Sequence, residues 1–141
     1  MAATRADLYS PNDLQQVYLS DFSTDFSVNP VTGFLAKVNN EQDAKQMLRN
    51  LILTITGERF FQPLVGSKVY SLLFEPADSV TVSALQSTIS QTITNYLPFI
   101  NLIGVNIFDR ADQNAYAITI VFSLINSVNP VTLDIVIKRI R

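Results

Sequence analysis

Three runs near the end of the chain alternate apolar and polar residues with a period of two, and they constrain the fold more than any other feature. In residues 100–108, Ile103, Val105 and Ile107 share one face. In residues 115–124, Tyr116, Ile118, Ile120, Phe122 and Leu124 make a wholly apolar face, opposed by Ala117, Thr119 and Ser123. In residues 131–140, Val131, Leu133, Ile135 and Ile137 alternate with Thr132, Asp134, Val136 and Lys138. Side chains of a strand point alternately to its two faces, so this pattern lays one face of a sheet on a core. The intervening segments 109–114 and 126–130 are rich in Asp, Asn, Ser and Pro and read as hairpin loops. An antiparallel meander follows.

Its core must be covered by helices, and the sequence supplies them. Ala44, Met47, Leu48, Leu51, Ile52 and Ile55 recur at steps of three and one, giving a continuous helical stripe. Asn39 or Asn40 caps this helix, Glu41 and Asp43 suit its first turn, and Gly57 is the expected stop. Burying the stripe gains on the order of 10 kcal/mol. Ordering the segment costs a similar amount, so the helix needs a sheet to pack on. Residues 67–73 read as a short helix with Val69, Leu72 and Leu73 inward, ended by Pro76. A longer helix begins at Ser79 or Thr81 and places Val82, Leu85, Ile89, Ile93 and Tyr96 on one face. No charged residue occurs between Asp78 and Asp109, so its outer face either meets a partner or is simply polar.

Upstream, residues 1–9 have no period and read as an arm, and Ser10-Pro11-Asn12-Asp13 reads as a helix start or a turn. Residues 21–38 read as a β-hairpin: Phe22 and Phe26 in one extended stretch, a turn at residues 29–33, and a return strand over 34–38. Asp21 and Asp25 read as solvated acids, since two carboxylates without further ligands fall short of a calcium loop. The expected class is α+β: a three-stranded antiparallel C-terminal meander packed by two main helices and a short one, with an N-terminal hairpin. The expected division is an arm over 1–20 and a single domain over 21–141.

Composition narrows the function. The 141 residues contain neither His nor Cys, which removes the usual neutral-pH base, the commonest metal ligand and all thiolate chemistry. The net charge of −2 offers no footprint for nucleic acid, and no apolar run is long enough to span a membrane. No cofactor, metal or small-molecule substrate is expected. An enzyme would have to be assembled from Glu58, Glu75, Asp78 and the tyrosines. Two carboxylates at a suitable separation could hydrolyse a glycosidic bond, but no substrate cleft is marked. A half-apolar, weakly charged chain (48% hydrophobic, 16% charged) instead suits a surface covered in an assembly.

Residues 51–75 are the most distinctive stretch. A helix end is followed at once by Gly57-Glu58-Arg59, then by two aromatics, Pro63, Gly66 and Leu73-Phe74-Glu75. One reading of the charged pair is a helix stop with local pairing. A sharper reading has Glu58 accept backbone N–H bonds from residues 63–66, fixing that loop as an interaction surface. The spacing of Leu53-Thr54, Gly57, Glu58, Arg59, Pro63, Gly66, Phe74 and Glu75 resembles the baseplate-wedge, sheath-initiator family of contractile phage tails, shared with type VI secretion baseplates. Asp21-Phe22, Gly33 and residues 39–45 fit the same pattern, and the likeness runs over about residues 20–137.

The resemblance implies a non-enzymatic virion subunit of the tail baseplate. It would contact a helical core bundle of other wedge proteins and start the tail sheath protein's polymerisation by strand addition. That family usually carries Glu-Pro-Arg ahead of the first meander strand. Here the place reads Leu97-Pro98-Phe99, so an apolar wedge contact replaces the charged one, or both side chains join the domain's own core. The last strand, with Val131, Leu133, Asp134, Ile135, Ile137 and Lys138, is the expected docking edge for the sheath. Lys138, Arg139 and Arg141 would add charge there or guard the edge. The same fold in a secretion baseplate and a cell-wall hydrolase are the alternatives.

Overall fold

The structure is a computed structural model, and it describes residues 19–125, 127 and 129–139. The expected arm and the Ser10–Asp13 helix start lie outside the described residues. The chain divides into two compact units, Met1–Asp43 and Ala44–Arg141.

In the first unit, β1 (Ser20–Phe22) pairs antiparallel with β2 (Lys37–Asn39). The hairpin is less regular than the sequence suggests. Phe26 takes a positive φ of 50°, its N–H turning back to Ser23 O. The extended stretch is therefore broken, and pairing resumes only as a Val28–Leu35 bridge. The turn chemistry of residues 29–33 is present: Gly33 N donates to Asn29 O, and Asn29 Oδ1 accepts from Val31 N at 2.9 Å.

Helix α1 spans Glu41–Leu53. Ala44, Leu48, Leu51 and Ile52 of its stripe are buried, as the period requires. Ile55 is not; it is 46% exposed, because the helix stops short of Gly57. The stop is made by side chains. Ser67 Oγ donates to Ile52 O, a carbonyl a longer helix would use for Thr56 N, which instead donates to Ser67 O, while Thr54 N and Thr54 Oγ1 both donate to Asn50 O in the last regular turn.

Helix α2 (Val69–Leu72) is one turn, and α3 (Ser79–Tyr96) is the long helix. Asp78 caps α3 by accepting from Thr81 N at 2.7 Å, and Thr81 Oγ1 donates to Pro76 O. Leu85, Ile89 and Ile93 form the buried face, joined by Thr81 and Thr92.

The meander follows: β3 (Ile100–Arg110), a 3-10 turn (Ala111–Gln113), β4 (Ala115–Leu124) and β5 (Val131–Lys138), in the spatial order β3-β4-β5. Tyr116, Ile118, Ile120 and Phe122 lie buried on the inner face of the central strand, flanked by Val131, Leu133, Ile135 and Ile137 of β5. In β3 the expected face is corrected at one residue. The register shifts between Leu102 and Gly104, so Ile103 is an extra residue without a partner and stands 61% exposed. The bulge swaps parity: Ile100 and Leu102 face inward before it, Val105 and Ile107 after it. Helix α3 packs on β3, and Gln86 Nε2 donates to Val105 O at 2.8 Å.

Candidate functional site

Three features of the second unit present themselves to a partner. The first is the loop between α1 and α2. The chain returns beside itself through a parallel Ile55–Ser67 bridge, with Ser67 N donating to Thr54 O at 2.8 Å. Gly57 N donates to Pro63 O at 2.7 Å and Val65 N to Gln62 O at 3.0 Å, closing the loop on itself. Tyr96 Oη donates to Leu64 O, tying the loop to the end of α3. Glu58 does organise this loop, but not as the sharper reading had it. Its Oε2 accepts from Ile55 N at 3.0 Å while Glu58 N donates to Ile55 O, so it braces the loop's entry and not residues 63–66.

Gly66 explains its place in the motif. Its φ is +150°, and a Cβ there would sit 2.9 Å from Ile55 C, Thr54 O and Thr56 N. Only glycine lets the two backbones approach so closely. Gly57, at φ +97°, has open space around it and supplies the turn alone. At the tip, Phe60 is 98% exposed, Phe61 100% and Leu64 78%. Phe60 and Phe61 are the two aromatics that follow Arg59 in the distinctive stretch, and their lack of any place in the helical periods is the sequence signal of their exposure. Arg59, Pro63, Phe74 and Glu75 are exposed as well.

The second feature is Leu97-Pro98-Phe99. It is the turn from α3 into β3, closed by Ile100 N to Leu97 O, and Phe99 O accepts from Ile125 N at 3.1 Å. Leu97 and Phe99 are half-buried and Pro98 is exposed, so neither apolar side chain is wholly absorbed by the core.

The third is the edge of the sheet. Among the described residues, strand β5 pairs with β4 only. Val131, Leu133, Ile135 and Ile137 point into the core, so what they offer outward is backbone. Thr132, Asp134, Val136 and Lys138 alternate on the exposed face, where Asp134 Oδ1 accepts from Thr119 Oγ1 at 2.7 Å. Arg139 is not a loose surface charge. Its Nη2 lies 2.6 Å from Asp109 Oδ1, its guanidinium stands 5.0 Å from the centre of the Tyr116 ring, and its N–H donates to Asn114 O. This staple fastens the end of β5 to the β3–β4 turn.

Two carboxyls are displaced from their ordinary value of 3.8. The Thr81 backbone N–H, and then its hydroxyl, hold Asp78 below it. Burial, and then the charge of Asp21, push Asp43 above it; among the described residues neither oxygen of Asp43 has a hydrogen-bond partner. Among the described residues no cluster of acidic side chains could hold a metal ion. No described helix is long and apolar enough to cross a membrane.

The second unit thus joins helices to a three-stranded antiparallel sheet in an α+β fold, with an exposed aromatic loop between α1 and α2. The family model for baseplate wedge protein gp25 matches residues 38–128, and the chain belongs to that family. Baseplate wedge protein gp25 of Enterobacteria phage T4 is 30% identical over 83 residues, 59% of this chain and 63% of that relative. The match thus spans less than two thirds of the relative's length. Among solved structures, the fold is similar to a Geobacter sulfurreducens protein whose tail-lysozyme assignment is provisional (TM-score 0.68, 20% identity, 72% of this chain and 92% of that one). It is also similar to a chain of the anti-feeding prophage baseplate (0.65, 22%, 78% and 88%) and one of the type VI secretion baseplate (0.55, 10%, 69% and 93%). At these identities the likenesses show the fold.

Proposed function

We propose that this chain is a non-enzymatic wedge subunit in the baseplate of a phage virion. It binds other wedge proteins and templates the tail sheath protein by accepting a sheath strand along β5. The observation that carries this reading is an asymmetry between the two edges of the meander. The β3 side carries α3, whose Gln86 already reaches the Val105 carbonyl. Among the described residues, the backbone of Val131–Lys138 is hydrogen-bonded to β4 alone. A strand added there gains main-chain hydrogen bonds at once.

Hydrogen exchange tests it. In the isolated protein every second β5 amide should exchange fast, and those amides should become protected when sheath protein is added. Unchanged β5 exchange in a sheath-bound sample would refute strand addition. The hydrolase alternative is poorly supported by the carboxylates it needs, since Glu58 braces Ile55 and Asp78 caps α3. Purified protein is expected to leave peptidoglycan suspensions turbid; clearing would reinstate it. The secretion-baseplate alternative shares the fold, and neighbouring genes for capsid and portal proteins would favour the phage.

A further inference from the structure

We infer that the tip of the 57–66 loop is a second docking element, separate from the β5 edge, which inserts Phe60, Phe61 and Leu64 into an apolar groove with an acidic rim on another wedge protein. The inference rests on the wedge reading above. Three nearly naked apolar side chains on one loop are a contact without its other half. The loop is closed by Gly57 N on Pro63 O, so it projects as a turn and offers side chains, not an extended strand. Glu58 and Tyr96 brace it, so little ordering cost remains on binding.

Charge selects the groove. Glu58 is engaged with Ile55 N, whereas no carboxylate lies in ion-pair range of Arg59 among the described residues. A carboxylate on the groove's rim would complete the pair beside the buried aromatics. Two other occupants fit less well. In a two-fold dimer the patch would meet itself and bring one Arg59 against the other. A lipid surface attracts clusters of cations, and this loop has one beside an acid in a chain of net charge −2.

The test co-expresses the full chain with the wedge proteins of its own gene cluster and measures co-purification, then affinity by titration. The Phe60→Ser/Phe61→Ser variant should melt like wild type and bind about 100-fold more weakly, as loss of paired aromatic anchors does. Arg59→Glu should weaken binding about tenfold, with the difference shrinking at high salt. If wild type and the double variant co-purify equally, the loop proposal falls and the wedge reading stands. If wild type co-purifies with none of these proteins, the wedge reading falls and takes the loop proposal with it. Phe60-dependent dimerisation in sedimentation, or Phe60-dependent pelleting with phosphatidylglycerol vesicles, would also overturn it by naming the other occupant.

Discussion

Replacing Gly66 with Ala should be the most damaging single-methyl change in the second unit. The new Cβ would lie 2.9 Å from three backbone atoms, Ile55 C, Thr54 O and Thr56 N, where ordinary contact begins near 3.4 Å. A side chain at φ +150° costs a further 1–3 kcal/mol or so from backbone strain. The clash cannot be relieved by a rotamer, because every atom it meets is main chain. Relief means parting the Ile55–Ser67 bridge, which loosens Ser67 N to Thr54 O and Thr56 N to Ser67 O at about 1 kcal/mol each. The sum is about 3–5 kcal/mol, which for a chain of this size lowers the melting temperature by roughly 10–15 °C. Gly57→Ala is the internal control. Its φ of +97° is also unfavourable, but nothing lies within 4 Å of its Cβ, so it should cost only about 1–2 kcal/mol. Thermal melts by circular dichroism, backed by urea titration, would compare the two. A Gly66→Ala protein melting within 2–3 °C of wild type, or above Gly57→Ala, would refute the close-approach argument.

Other perturbations have signs set by the same structure. Asp43 is buried without a hydrogen-bond partner among the described residues and its carboxyl is raised, so stability falls as pH rises above the ordinary 3.8 and the loss is complete once pH has passed the higher folded value. Asp43→Asn should therefore raise the melting temperature at pH 7 and change it little at pH 3. Asp78 behaves oppositely. Its lowered carboxyl gives the α3 cap full effect above pH 3.8, lost as pH falls through the still lower folded value. Asp78→Asn, which keeps a capping oxygen, should flatten that acid limb in a pH series of melts. Arg139→Ala removes the Asp109 pair and the Tyr116 contact and should cost about 2 kcal/mol, seen as a fall of roughly 5 °C and as faster exchange at the β5 end.

The fold class was legible because its signals are local and periodic. The alternation in residues 115–124 and 131–140, and the three-and-one steps from Ala44 to Ile52, state which face is buried wherever the element ends up. Errors arose where a tertiary contact overrode a period. Ile103 continues a flawless alternation, yet the bulge before Gly104 turns it outward. Ile55 continues the helical stripe, yet Ser67, fifteen residues on from Ile52, claims a carbonyl at the helix end. Arg139 reads as a charged tail until Asp109 and Tyr116, thirty and twenty-three positions earlier in the chain, are brought beside it.

The docking features divide in the same way. That some strand must end the meander, and that the family's spaced motif occupies residues 57–75, is written in the order of residues alone. That α3 lies on β3, while β5 pairs with β4 alone among the described residues, and that a Cβ at position 66 would lie 2.9 Å from the backbone of residues 54–56, are decided only by the tertiary structure. Periodicity determines what one element must bury. Only packing determines which distant segments compete for the same hydrogen bonds and the same space.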